Sequence, residues 1–181
     1  MIHLLQGRRG NTVLRTPRLD LVPITRTMLD AERRADGTLG GQLHARVTAE
    51  WPPEHWEPHV LDFIAQQILT TPHAADWHRY VLLREMPLRR VLVGCVGGFP
   101  KANGDVEIGY STLPAYQRRG YATEAAGALV EMLLARETVY SVSAQTYETL
   151  PESVKVMERV GMSFVGPGDH PGTVRYRRMR G

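Results

Sequence analysis

The segment of this sequence with the clearest chemistry is Leu113-Pro114-Ala115-Tyr116-Gln117-Arg118-Arg119-Gly120-Tyr121-Ala122-Thr123. It joins a strand-like pattern to the start of a helix-like one. Such a junction presents unpaired backbone N–H groups and the positive end of a helix dipole, which together attract phosphate. Gly120 allows close backbone approach or a conformation closed to other residues, and Ala122 is small where a bulky side chain would obstruct a ligand. Arg118 and Arg119 add charge of a kind that can reach phosphate oxygens. No Gly-Lys-Ser/Thr follows, so this is not a Walker loop, and its single glycine excludes a dinucleotide fingerprint. Spacing alone also permits a plainer reading, a basic helix cap in which Gly120 only turns the chain.

The flanking patterns supply the elements that must hold this loop. Val106, Ile108 and Tyr110 alternate with Glu107, Gly109 and Ser111, predicting a strand from Val106 to Leu113 that follows an Asn103-Gly104 turn and ends at Pro114. Ala122, Ala125, Ala126, Leu129 and Leu133 mark one apolar face of a helix over Tyr121 to Glu137. Upstream, Arg18 to Ile24 reads as a strand, and Thr25 to Arg34 as a short helix capped by Thr25 or Thr27. Gly37 to Pro58, broken by glycines and prolines and carrying Trp51 and Trp56, reads as a loop or a broken helical pair; Val60 to Leu69 is a second helix. Trp77 to Arg84 and Val91 to Phe99 form a hairpin whose Gly94, Gly97 and Gly98 admit close approach of another backbone or a ligand. Downstream come a strand over Val139 to Thr146, a helix opened by Pro151 and closed by Gly161, and a hairpin of Met162 to Gly166 with Val174 to Met179. This order predicts an α+β (mixed α/β) domain with a largely antiparallel sheet and one parallel pair across the long helix.

The 181 residues suit a single domain, and 43% hydrophobic with 23% charged residues is the balance of a globular chain. No apolar run approaches the roughly 20 residues of a bilayer span, and the start is too short in apolar residues for a signal peptide. One cysteine, Cys95, excludes an internal disulfide and reads as a small core residue. A cytoplasmic location with no membrane partner is expected. The net charge of +3 is too small for a nucleic-acid footprint; the densest basic run, Arg175 to Arg180, reads as a polar edge strand or tail. His55, His59, His73 and His78 lack compact ligand spacing, so they read as scattered surface residues and no metal is expected.

Glu107-Ile108-Gly109-Tyr110 through Gln117-Arg118-Arg119-Gly120-Tyr121-Ala122-Thr123-Glu124-Ala125 resembles the GNAT superfamily of N-acetyltransferases. More narrowly it resembles the branch that contains the ribosomal-protein N-terminal acetyltransferases. The element order matches that fold from about Leu14 to Met179, within one acetyltransferase domain spanning 1–181. Ser153 to Phe164 resembles the family's late helix, and Trp51-Pro52-Pro53 a Trp-Pro feature of the branch's substrate-side loop.

The resemblance implies acetyl-CoA as acetyl donor, with its pyrophosphate on Gln117, Arg118, Arg119, Gly120, Tyr121, Ala122 and Thr123. Its pantetheine arm lies as a pseudo-strand in a sheet splayed around it, along Ser111, Thr112 and Leu113. It implies direct transfer to an amine in a ternary complex, the acceptor being a protein N-terminus or a small molecule. Glu107 is then the candidate base, Ser153 the candidate donor of a proton to the thiolate, and Trp51 and Trp56 the acceptor wall. Two positions depart from the family pattern: Met157 stands where a tyrosine is common and Leu150 where an asparagine is common. These departures favour an alternative, a catalytically weak CoA-binding sensor or scaffold. The exposed terminal hairpin offers an edge for a homodimer.

Overall fold

Alternation and glycine punctuation in the sequence become one mixed sheet in the computed structural model, which describes residues 3–4, 12–54, 56–86 and 89–181. In chain order the elements are β1 (His3–Leu4), β2 (Leu14–Arg15), β3 (Leu19–Pro23), α1 (Arg26–Arg34), α2 (Thr38–Leu43), α3 (Pro58–Thr70), β4 (Arg79–Met86), β5 (Arg89–Pro100), β6 (Asp105–Thr112), α4 (Tyr121–Leu134), β7 (Ser141–Tyr147), α5 (Pro151–Arg159), β8 (Ser163–Pro167) and β9 (Thr173–Met179). The strands lie in the order β1-β2-β3-β4-β5-β6-β7-β9-β8. All neighbours are antiparallel except β6 and β7, which are parallel because α4 carries the chain back between them.

Local chemistry explains the boundaries. Thr25 caps α1, its hydroxyl accepting the Met28 N–H at 3.3 Å. Pro58 and Pro151 occupy first-turn positions of α3 and α5. Gly161 closes α5 with φ +83°, its N–H donating to Glu158 O at 3.0 Å. Asn103 and Gly104 both take positive φ in the turn before β6.

Two apolar cores sandwich the sheet. Val106, Ile108, Val142 and Ala144 pack with Ala125, Leu129 and Leu133 of α4 and Met157 of α5. On the opposite face Tyr80, Leu82 and Leu92 pack with Leu29 of α1, Leu39 of α2 and Ile64 of α3. Among the described residues no helix is long and apolar enough to cross a membrane.

Two expectations are corrected, and two short strands went unread. The two-residue strands β1 and β2 extend the sheet at its leading edge; runs so short carry no periodicity to read. The basic run at 175–180 is not an edge strand, because β9 lies between β7 and β8. Its arginines are paired, Arg175 with Asp169 at 2.6 Å and Arg178 with Glu131 at 2.7 Å. Nor is His78 a surface residue: it is 2% exposed, packed edge-on against Phe63 and Phe99. His59 is on the surface beside Glu57, whereas His55 and the His73 side chain lie outside what is described.

Candidate active site

The parallel ladder between β6 and β7 is short. It joins Asp105, Val106 and Glu107 to Ser141, Val142 and Ser143 and then stops. Beyond it β6 stays paired with β5 as far as Thr112↔Gly94, and β7 with β9 as far as Tyr147↔Thr173. The two strands therefore part after Glu107, leaving a wedge whose walls are held by their outer neighbours. Leu113 donates its N–H to Val93 O on β5 at 2.8 Å. Since N–H directions alternate along a strand, those of Ile108, Tyr110 and Thr112 point into the wedge. An extended ligand there meets the unpaired side of a strand.

The mouth of the wedge runs into the loop. Leu113 is fully buried and its carbonyl accepts the Tyr116 N–H at 2.9 Å, so its part is to anchor the turn. Gln117 folds back to donate to Thr112 O at 3.0 Å. Arg118 and Gly120 take φ +59° and +80°, and Gly120 opens α4 with no side-chain cap. The N–H groups of this first turn therefore remain without a capping side chain, beside exposed Arg118 and Arg119. Ser111, Thr112, Tyr121, Ala122 and Thr123 are partly exposed along the same path.

One brace was invisible in the sequence. Arg18, just ahead of β3, donates to Glu124 Oε2 at 2.7 Å and to Arg119 O at 2.9 Å. Its guanidinium lies 4.6 Å from the Tyr121 ring centroid. Burial opposes the Glu124 charge, but hydrogen bonds from Thr16 and Arg18 outweigh it and hold the carboxyl below its usual range.

Glu107 sits at the crotch of the wedge, on the face away from Val106 and Ile108. Its carboxylate accepts from Gln145 Nε2 at 3.2 Å and lies 3.5 Å from Lys101 Nζ and 3.7 Å from Arg175 Nη2. It lines an open cavity of about 500 Å³ with Asp105, Asp169 and Arg177. Ser153, in the first turns of α5, is joined across the wedge to β6: the Tyr110 hydroxyl lies 3.0 Å from Ser153 Oγ and donates to Ser153 O at 3.0 Å. Burial pushes the Tyr110 hydroxyl up, and the Ser153 hydrogen bond offsets part of that. The late-helix Met157 is fully buried in the core. Tyr110 was not singled out from sequence, although a tyrosine on the apolar face of a strand is a usable signal.

Trp51 and Trp56 lie apart from the wedge's mouth, packed edge-on to each other and beside Tyr80 of β4. Both indole N–H groups donate to Glu32 Oε1 of α1 at 2.7 Å, and the Tyr80 hydroxyl donates to Glu32 Oε2. Tyr80 pairs with Cys95 of β5, which pairs with Ser111 of β6. Cys95 is buried, and its thiol is pushed up by burial and then by the Glu32 charge, so it is a core residue and not a thiolate nucleophile. Among the described residues no group of His, Cys, Asp and Glu is placed to hold a metal ion.

The chain as a whole has counterparts among known proteins. The family model described as Acetyltransferase (GNAT) domain matches residues 18–163. An uncharacterized N-acetyltransferase, YjdG of Bacillus subtilis (strain 168), is 28% identical over 151 residues, covering 82% of this chain and 88% of that protein. The crystal structure of an acetyltransferase from Agrobacterium tumefaciens superposes with a TM-score of 0.64 at 19% identity, over 96% of this chain and 98% of the other. RimL, a ribosomal L7/L12 α-N-protein acetyltransferase solved with coenzyme A, gives a TM-score of 0.60 at 15% identity, over 91% and 95% of the two chains. The chain belongs to the GNAT acetyltransferase domain family.

Proposed function

We propose that this GNAT-domain chain transfers the acetyl group of acetyl-CoA to a primary amine by direct attack in a ternary complex, in the manner of the ribosomal-protein N-terminal acetyltransferases. The observation that carries this reading is the wedge after Glu107, which leads without interruption into the uncapped start of α4. Acetyl-CoA supplies an activated acyl group as a thioester. The residues present fit it: the loop at 117–123 turns on a positive-φ glycine and offers first-turn N–H groups to phosphate. Ser111 and Thr112 line the path towards the crotch, and the Tyr110 and Thr112 N–H groups along that path point into the wedge, where one can polarise a carbonyl.

Glu107 takes the proton of the incoming amine, directly or through water, because only a neutral amine attacks. Gln145, Lys101 and Arg175 hold its carboxylate in place. Ser153, hydrogen-bonded to Tyr110, supplies a proton to the departing thiolate. The acceptor, a protein N-terminus or a small molecule, enters on the side of Trp51 and Trp56. The protein works as one cytoplasmic acetyltransferase domain, with the exposed β8 edge available for a homodimer.

A second reading, a CoA-binding sensor or scaffold with weak catalysis, is favoured by Leu150 and Met157, which offer no polar group where the family commonly has asparagine and tyrosine. Release of free thiol from acetyl-CoA across a panel of amines and N-terminal peptides separates the two. Acceptor-dependent release with multiple turnovers is expected; tight CoA binding with no turnover on any amine would establish the sensor.

A further inference from the structure

Glu32 is held in an unusual way. Its carboxylate accepts hydrogen bonds from three neutral donors, the Trp51 and Trp56 indoles and the Tyr80 phenol. Among the described residues no arginine, lysine or histidine pairs with it. The neighbouring cations of α1 are engaged elsewhere, Arg33 with Asp62 at 2.6 Å and Arg34 with Asp36 at 2.7 Å. A carboxylate walled by aromatic rings and lacking a counter-charge is a combination that attracts an organic cation, by direct charge and by the ring quadrupoles.

Its position ties it to the acceptor. Tyr80, Cys95 and Ser111 are register partners on three adjacent strands, so they share one face of the sheet. Glu107 lies on that same face, four residues before Ser111, or about 13 Å along β6. Between these rows Gly97 of β5 pairs with Gly109 of β6, and the space over the pair is filled by His78 and Phe99, which floor that face. Glu32, Trp51 and Trp56 are each partly exposed, whereas Tyr80 is buried, so the carboxylate is approached from the indole side.

We propose that Glu32, with Trp51 and Trp56, binds a second, non-reacting ammonium group of the acceptor, which makes the substrate class a cationic amine carrying two basic nitrogens. The proposal rests on the acetyltransferase reading and narrows it. A nitrogen paired with Glu32 stays protonated and is no nucleophile; the other nitrogen loses its proton to Glu107 and attacks. The two carboxylates thus divide the substrate, one orienting it and one activating it.

The test is calorimetric titration of 1,5-diaminopentane and of 5-amino-1-pentanol into the CoA-loaded protein. The two probes share one amine and differ in the charge of the far end. At least about tenfold tighter binding of the diamine is expected in the wild type. In Glu32→Gln, which keeps an oxygen for the indole N–H groups but removes the charge and the acceptor of the Tyr80 hydroxyl, that preference should vanish in a protein that still folds, at a lower melting temperature. Equal binding of both probes by the wild type, binding of neither, or a preference that survives Glu32→Gln overturns the proposal. If Glu32→Gln fails to fold, the wild-type comparison alone decides, and loss of the diamine preference in 0.5 M salt (about a 4 Å screening length) is the second readout. Failure to bind CoA at all would overturn the acetyltransferase reading as well; CoA binding without diamine preference overturns this proposal only.

Discussion

The proposed donor side of the sheet is made from one stretch of chain, and the proposed acceptor side from three. Glu107 through Thr123 runs along β6, round the loop and into α4 without leaving the wedge. The cluster opposite gathers Glu32 from α1, two tryptophans from an irregular segment and Tyr80 from β4. The donor side presents mostly backbone: N–H groups of a half-paired strand and of an uncapped helix. The acceptor side presents side chains. A backbone-built site tolerates many sequences provided a few conformations are kept, whereas a side-chain-built site changes its preference with each substitution.

The strongest way to break this contrast is at Gly120. A glutamate there must adopt φ +80°, at a cost of about 1–2 kcal/mol, and its β-carbon would meet Arg18 Nη2 at 3.3 Å. It also brings negative charge to the proposed phosphate site. Calorimetry should show CoA affinity falling on the order of 10²–10³-fold; a folded Gly120→Glu protein with wild-type affinity would remove the loop from the donor site.

The acceptor side should break first in acid. Burial pushes the His78 imidazole down to about 4 from its usual 6.5. The unfolded chain therefore takes up the proton before the native one, so stability is full above pH 6.5 and falls as pH drops from 6.5 to 4. The loss reaches roughly 3 kcal/mol. Denaturant melts across that range should show the decline, and His78→Gln should flatten it; an identical slope in the variant would assign the acid sensitivity to other groups.

Smaller and more selective is Glu107→Gln. Turnover should drop roughly 10²-fold while CoA affinity holds. An unchanged rate and pH profile would leave Glu107 as a strut among Gln145, Lys101 and Arg175. Smallest is Tyr110→Phe, which removes the hydroxyl from Ser153 and should slow turnover by about tenfold and cost about 1 kcal/mol of stability. A stability loss with full turnover would make that hydrogen bond purely structural.

Legibility follows the same division. The strand over Val106 to Leu113, the loop and the helix from Tyr121 were readable because alternation, a glycine and helical spacing are local signals. Thr25 as cap, Pro151 as first-turn residue and Gly161 as stop were readable for the same reason. Arg18 was not, since its partners Arg119 and Glu124 lie 101 and 106 residues away. Glu32 was hidden likewise: on a helix with arginines on either side of the turn it looks like an ordinary solvated acid, and only folding brings two indoles and a phenol to it. The burial of His78 depended on Gly97, whose added β-carbon would sit 2.2 Å from the imidazole Nδ1; the glycine was noted as a point of close approach, but not what would approach it. The basic run at 175–180 was misplaced because strand order is a property of the sheet and not of the strand.

The Arg18 brace gives the donor site a history as well as a shape. During synthesis Arg18 leaves the ribosome more than 100 residues before the carbonyl and carboxylate it will hold, so the loop can form locally yet stays unbraced until the two distant segments meet. Contacts of that separation are slow to close. If CoA binds the proposed loop, its binding favours the braced form and draws the leading strand into place by mass action. CoA would then act as a late folding ligand, felt as slower amide exchange around Thr16 to Leu19, far in sequence from the proposed site of acetyl transfer.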